Sequence, residues 1–521
     1  MITEKKITAI FFHLKSTSKR HFFAPHNNTN AFVKSKNFFV LPLLWLVSLG
    51  HSFEAESKKG FSQLNRWRFS KKAKFLIAVV IIAVFLISIF VFLPKDPSKS
   101  NVVSQNGDNS TATPLPTATN EKAISPAPKN KPFTSENTHV APSFPPALPG
   151  LIASAQTLNS TVWMGVAGNA WAYYQPGFGV NVNTGLPQAD TGFTGITDWD
   201  LGSYIQAVID AQKLGLIGND SGWDFSARID KVLTFLENRP LDPNTNYPFQ
   251  FYFATTGQKD TSVPQEPSVD AVDTGKLFVA LNNLINYNSS LRSRVDDFVF
   301  HGRSNYTALL PSVQSDILTS TSIYSYYFDS GFACFWPNLP SPSRILNNLF
   351  AAGNVTTYGD VSLPDASISG DPLLCSVFEL NNTNPQLTAL SRQAYLASEA
   401  YYKATGDYAA FSEGNSPYGF IWEWVVLPNG DTWKITGVGS SGYFDVDPII
   451  YTKVAFSFLA LYNTTYACNM VVYLEQAFPN PIYTGGYCDG ADNNGTLVKI
   501  VGNNTNSLIL DASLYAIKNN P

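Results

Sequence analysis

The groups in this chain that could do chemistry are acidic side chains set beside tryptophans and tyrosines. They recur in short segments: TDWDLG (Asp198, Trp199, Asp200), FDSG (Asp329), SEGNSPYGFIWEW (Glu413, Tyr418, Trp422, Glu423), YFDVDP (Asp445, Asp447) and GGYCDG (Asp489). Flat apolar rings with polar neighbours suit sugar rings, which present C–H faces and hydroxyl edges. Two carboxylates across such a cleft are what cleavage of a glycosidic bond requires, one as acid and one as base or nucleophile. Glu413 is the strongest candidate, in a Gly/Pro/Tyr segment with Asn415 and two tryptophans close by. Other acids also read as structure. Asp200 and Asp273 stand where helix N-caps belong, and Asp445 and Asp447 precede Pro448 and could start a helix at Ile449. Most of the eight tryptophans from Trp163 onward suit a core, because aromatics bury large areas.

Several chemistries are excluded. His301 is the only histidine after residue 148, which removes a Ser-His-Asp triad, a His-ligated metal and most His general bases. No GxGxxG or GxxxxGK[ST] motif supports nucleotide binding, and no cofactor or metal is expected. Residues 149–521 hold 16 Lys or Arg against 32 Asp or Glu, a net −16 that argues against a nucleic-acid partner. Four cysteines (Cys334, Cys375, Cys468, Cys488) predict two disulfides, with three pairings open, and the absence of CxxC argues against zinc.

Helices must position these groups. In DWDLGSYIQAVIDAQKLGL the apolar residues Leu201, Tyr204, Ile205, Val208 and Ile209 fall at helical spacing behind Asp200 as cap. Ile229, Val232, Leu233 and Leu236 form a second stripe behind Ser226. Leu277, Phe278, Leu281, Leu284 and Ile285 form a third behind Asp273. Further helices are predicted near 291–301, 385–404, 449–461, 465–477 and 505–517. Asn429-Gly430 reads as the turn of a hairpin. Paired helices with long Gly/Pro-rich loops over some 370 residues predict a mainly α fold, an (α/α)6-type toroid with a small β-hairpin, at 149–521.

Upstream, Phe75–Leu93 is nineteen residues without a charge, enough to cross a bilayer as one helix. Fourteen Lys or Arg against three acids precede it, so residues 1–74 read as a cytoplasmic tail and everything from Pro94 as extracytoplasmic. Residues 94–148, rich in Pro, Ser, Thr and Asn, read as a linker. Nine Asn-x-Ser/Thr sequons follow, at Asn159, Asn219, Asn288, Asn305, Asn354, Asn381, Asn463, Asn494 and Asn503.

The segments NTGLPQ (183–188), TDWDLGSYIQAVIDAQKLGLIG (197–218), RIDKVLTFLENRPL (228–241) and AVDTGKLFVALNNL (271–284) resemble the domain-of-unknown-function family numbered 3131. So do residues 393–433, 485–495 and 504–518, whereas about 300–380 match poorly. The resemblance implies a glucoamylase-like toroid with a glycan-binding cleft lined by Asp200, Asp273, Glu413 and Asp489. Gly414 and Asn415 follow Glu413 where members tend to carry more acid, and Asp489 and Asp511 stand where Glu is commoner. The resulting expectation is a membrane-anchored protein acting on a polysaccharide or envelope glycan. Glu413 would be the acid and Asp200 the base, by inversion if the carboxyls lie ~6.5–9.5 Å apart. Asp198, Trp199, Asp273, Tyr418, Trp422 and Asp489 would contact substrate. A non-catalytic glycan-binding module and a structural surface glycoprotein are the alternatives.

Overall fold

The computed structural model describes residues 148–519, apart from 220–221, 263–267, 352, 381–383, 438–441 and 478–484. The basic tail, the apolar span, the linker up to residue 147 and the sequon at Asn381 lie outside the described residues. No helix among the described residues is long and apolar enough to cross a membrane.

Twelve helices of nine residues or more occur among the described residues. They are α1 (Ser160–Trp171), α2 (Asp198–Lys213), α3 (Phe225–Asn238), α4 (Ala271–Tyr287), α5 (Leu310–Thr319) and α6 (Ile323–Phe335). They continue as α7 (Ser343–Ala351), α8 (Gly370–Glu379), α9 (Pro385–Thr405), α10 (Thr452–Tyr462), α11 (Thr465–Ala477) and α12 (Asn503–Asn519). The even-numbered helices form an inner ring: each packs on the next, and α12 closes on α2. The odd-numbered ones lie outside, α1 on α12, α3 on α2, α5 on α6, α9 on α8 and α11 on α10, with α7 against α5 and α6. This is the predicted toroid of paired helices.

The two layers follow from burial. Every residue of α2 from Asp198 to Ala211 is buried, whereas α3 buries mainly Arg228 and the stripe Ile229, Val232, Leu233 and Leu236. A helix buried on all sides needs no polar face. The closest approach in the ring is between α4 and α6. A Cβ on Gly331 would stand 2.1 Å from the Gly275 carbonyl oxygen, and one on Gly275 would stand 2.4 Å from the Phe328 Cβ. Only glycine allows that spacing.

Three caps lie two or three residues earlier than predicted. Thr197 caps α2, with Asp200 as the reciprocal partner of a capping box; Asp224 caps α3 in place of Ser226; Asp270 caps α4 in place of Asp273. In each case a Thr or Asp two or three residues upstream competes for the same role. The helix predicted at 291–301 is instead a 3-10 turn, a five-residue α-helix and a π-helical turn ending at His301. The helix predicted from Ile449 begins at Thr452, after a short strand.

The hairpin is part of an antiparallel three-stranded sheet: β1 (Glu413–Ser416), β2 (Gly419–Val426) and β3 (Thr432–Gly437). The turn between β2 and β3 contains Gly430 at φ 79°. A second sheet joins β4 (Ile449–Tyr451), β5 (Cys488–Asp492) and β6 (Leu497–Val501), with β5 in the middle.

Charge is buried along the ring axis. Lys276 of α4 pairs with Glu379 of α8, whose other oxygen accepts from the Tyr327 hydroxyl at 2.6 Å. Asn283 donates to Gln206 at 2.9 Å, and Gln206 donates to Asp210 at 2.9 Å and Asp511 at 3.2 Å. A charge so deep is tolerated only when paired.

The predicted disulfides do not form. All four cysteines are free, and they sit on four different elements: Cys334 on α6, Cys375 on α8, Cys468 on α11 and Cys488 on β5. Cys375 is fully buried and donates to Asp371 at 3.2 Å. Among the sequons, Asn503 is also fully buried and donates to the Asp200 carbonyl at 2.8 Å, so this fold leaves no room for a glycan there.

Under non-reducing denaturation, thiol titration is expected to find four thiols per chain; two would restore the disulfide reading. Lys276→Met is expected to cost about 3–5 kcal/mol in denaturant unfolding, because Glu379 is left buried without its cation. Adding Glu379→Leu should recover most of that loss.

Candidate active site

The inner helices present their N-terminal turns to a common cluster. That end carries Asp200 of α2, Asp273 of α4, Tyr324 of α6, Asp371 of α8, Lys453 of α10 and Asn504 of α12. Helix N-termini favour negative charge, so carboxylates belong here rather than at the other end. Over them lies the β1–β3 sheet, whose pleat decides which acid faces the cleft. Glu413 pairs with Trp422 and Asn415 with Phe420, so these four side chains share one face. Glu423 is on the other face, fully buried, and accepts from the Ile449 amide at 2.7 Å.

Glu413 is the best-placed titratable group. Its Oε2 accepts from the Tyr324 hydroxyl at 2.6 Å, and the Trp422 indole also hydrogen-bonds it. It is surrounded by protein yet remains partly open to solvent, as a side chain lining a cleft must be. Burial, then the nearby Asp371 charge, pushes its pKa up to about 7 against the opposing pull of Lys453 and the two hydrogen bonds.

Two further carboxyls stand at the same end of the ring, and one of them, Asp273, is repelled by Glu413. Asp200 is 8% exposed; burial raises its pKa to about 7, opposed first by the Thr197 amide. One of its oxygens accepts from Thr197 N at 3.0 Å and Oγ1 at 3.3 Å. Asp273 is half-buried, and burial followed by repulsion from Asp270, Asp198, Asp200 and Glu413 pushes its pKa well above the usual carboxylate range. Burial and the neighbouring acids favour its neutral form, in which it can donate a hydrogen bond.

The cluster has a structural base. Lys453 forms a salt bridge with Asp371, and Asn504 donates to the same carboxylate. Burial opposes the Lys453 charge, but Asp371 and Glu413 outweigh it and hold the ammonium protonated. To the side, Asn415 Nδ2 donates to Asp489 at 2.9 Å and Asp190 at 3.2 Å, while Thr505 Oγ1 donates to Asp489 at 2.6 Å. Among the described residues, no three His, Cys, Asp or Glu side chains converge as metal ligands would.

The residues singled out from sequence separate into two groups. Asp200, Asp273, Glu413 and Trp422 come together at this end of the ring, with Asp489 reached through Asn415. Asp198 and Trp199 do not belong to it. Asp198 is 2% exposed and locked to the Arg239 guanidinium, itself hydrogen-bonded to the Tyr306 hydroxyl at 2.5 Å, so it offers nothing to a sugar. Trp199 packs edge-on against Tyr327 at 5.8 Å with the Lys276 ammonium over its ring at 5.5 Å, inside the ring. Tyr418 is 55% exposed at the β1–β2 turn. Asp445 and Asp447 are exposed on the loop before β4, and Asp329 is buried in α6. Sequence reasoning missed Tyr324, Asp371, Lys453, Asn504 and Asp190. The only local signal was an acid directly before a proline at Asp371-Pro372, the pattern also seen at Asp447-Pro448.

Solved structures share this architecture. A candidate glucoamylase from Bacteroides fragilis aligns over 71% of this chain and 96% of its own, at 14% identity and TM-score 0.50. A candidate glucoamylase from Bacteroides uniformis aligns over 70% and 94%, at 12% identity and TM-score 0.50. An endo-β-1,2-glucanase from Chitinophaga pinensis aligns over 70% and 95%, at 12% identity and TM-score 0.47. At such identities the first two establish a shared fold, a glucoamylase-like toroid. No curated protein sequence matches the chain significantly. The family described as Protein of unknown function (DUF3131) matches residues 165–321 and 356–519, most of the toroid and both acid-bearing halves of the cluster, and the chain belongs to that family.

Proposed function

We propose that the chain is a glycan-acting enzyme that breaks or transfers glycosidic bonds with a pair of carboxyl groups. The observation that carries this is Glu413: a carboxyl with its pKa raised to about 7, hydrogen-bonded by Tyr324 and Trp422, on the cleft face of a sheet beside other acids. A carboxyl that titrates at about 7 carries its proton in a large share of molecules near neutrality and can give it to a departing sugar oxygen. Asp200 is the matching base, because its hydrogen bonds from Thr197 and the N-terminus of α2 favour its anion. Asp273, whose neutral form is favoured by burial and the acids around it, serves as a hydrogen-bond donor to a sugar hydroxyl.

A second reading rests on Asp200, which is only 8% exposed and has one oxygen committed to the capping box. If that oxygen never turns to substrate, the same cleft is a binding module without turnover. Placement outside the cell, anchored by Phe75–Leu93, belongs to the same proposal. Its support is the charge asymmetry around that span.

Glycan release by the purified protein on α- and β-glucans and envelope polysaccharides tests this, run beside Glu413→Gln. Cleavage that falls by about 10²–10⁴ in the variant supports the enzyme. Retention on one polysaccharide by both proteins, with no cleavage by either, favours the binding module.

The pH profile of kcat/KM gives a further check. Asp200 must lose its proton and Glu413 must keep its own, and both titrate at about 7. Activity is therefore expected to peak near neutrality and fall on both sides. A plateau extending unchanged to strongly alkaline pH would remove Glu413 as the acid.

A further inference from the structure

We propose that Phe420 is a stacking platform for the sugar on the leaving-group side of the bond to be broken, so that the cleft acts on glycan chains and requires a saccharide beyond that bond. The inference rests on the reading of Glu413 as proton donor.

The register of the sheet leads to it. Glu413 faces Trp422 and Asn415 faces Phe420, all on the cleft side. On β2 the alternate residues Ile421, Glu423 and Val425 are sealed in the core at 0%, 0% and 4% exposure. The cleft face opens progressively toward the turn: Trp424 is 4% exposed, Trp422 half-buried and Phe420 40% exposed. Phe420 stands edge-on to Trp422 with ring centroids 5.2 Å apart. Two residues along a strand is about 7 Å, the scale of one sugar ring. Stepping from the residue opposite Glu413 toward the turn therefore reaches the place where the sugar receiving the Glu413 proton would continue outward.

The neighbouring strand has the complementary chemistry. Asn415, the register partner of Phe420, holds the carboxylates of Asp190 and Asp489 through its amide nitrogen. Asp190 remains half-buried rather than sealed, with a pKa raised by burial and then by Asp489. An apolar ring with hydrogen-bonding groups beside it on the same face matches the C–H face and hydroxyl edge of a pyranose. A departing group with neither would gain nothing from this face.

The test compares the full chain carrying Phe420→Ala, Phe420→Trp or no change on two substrate types. These are β-1,2-, β-1,3- and α-1,4-linked glucan oligosaccharides, and α- and β-glucosyl fluoride, whose leaving group has no ring to stack. Phe420→Ala is expected to lower kcat/KM on the oligosaccharides by roughly tenfold. It should leave the fluorides unchanged, and Phe420→Trp should keep the parent's behaviour on both. In the Glu413→Gln background, Phe420→Ala should weaken oligosaccharide binding by a similar factor. An equal loss on chains and fluorides would mean a merely structural role and overturn the proposal, as would no loss on chains. Cleavage that is indifferent to Phe420 overturns this inference alone. A parent protein that cleaves none of these substrates overturns the reading of Glu413 and this one with it.

Discussion

The salt bridge between Asp371 and Lys453 links the architecture of this protein to its chemistry. It joins the first turns of α8 and α10, and the same carboxylate accepts from Asn504 of α12 and from Cys375 within its own helix. Three of six inner helices are thus tied at one point. Both ends are inside the protein, Asp371 fully buried and Lys453 2% exposed, so neither charge can be left alone without a penalty of several kcal/mol. Glu413 senses both charges: Asp371 raises its proton affinity and Lys453 lowers it. The pair that ties α8 to α10 thus also adjusts, after burial, the proton affinity of the candidate acid.

Around that point the fold divides its labour by geometry. Helix N-termini supply Asp200, Asp273 and Tyr324 from below, and the pleat of β1 and β2 supplies Glu413, Asn415 and Trp422 from above. Glu413 and Glu423 both lie in the SEGNSPYGFIWEW segment, yet one faces the cleft and the other is fully buried beside β4. A shift of one residue in strand register would exchange every side chain between the two faces.

Much of this was legible in the amino-acid order, and the failures have physical causes. The stripes of α2, α3 and α4 were readable, as were the hairpin and the candidacy of Glu413. The caps were read two or three residues late because Thr197, Asp224 and Asp270 each precede a second plausible capping residue. Helices α6 and α8 were not singled out; both lie in the stretch near 300–380 where the resemblance to the family read from the sequence is weak. Asp371 and Asn504 were invisible as partners for a simpler reason: 133 positions separate them in the chain. Asp198 was misread because its neighbours in sequence are aromatic, whereas its neighbour in space is Arg239. The disulfide reading assumed that cysteines in an exported chain pair, and here each sits on a different element.

Lys276, Glu379 and Tyr327 fill the centre of the ring with side chains that are at most 2% exposed. The toroid is therefore a bowl and not a tube. A polymer cannot be threaded through it, and whatever enters between the hairpin and the inner helix ends must leave by the same mouth. Under the proposed function, long chains would have to lie across the rim, and a product still resting there would obstruct the next arrival.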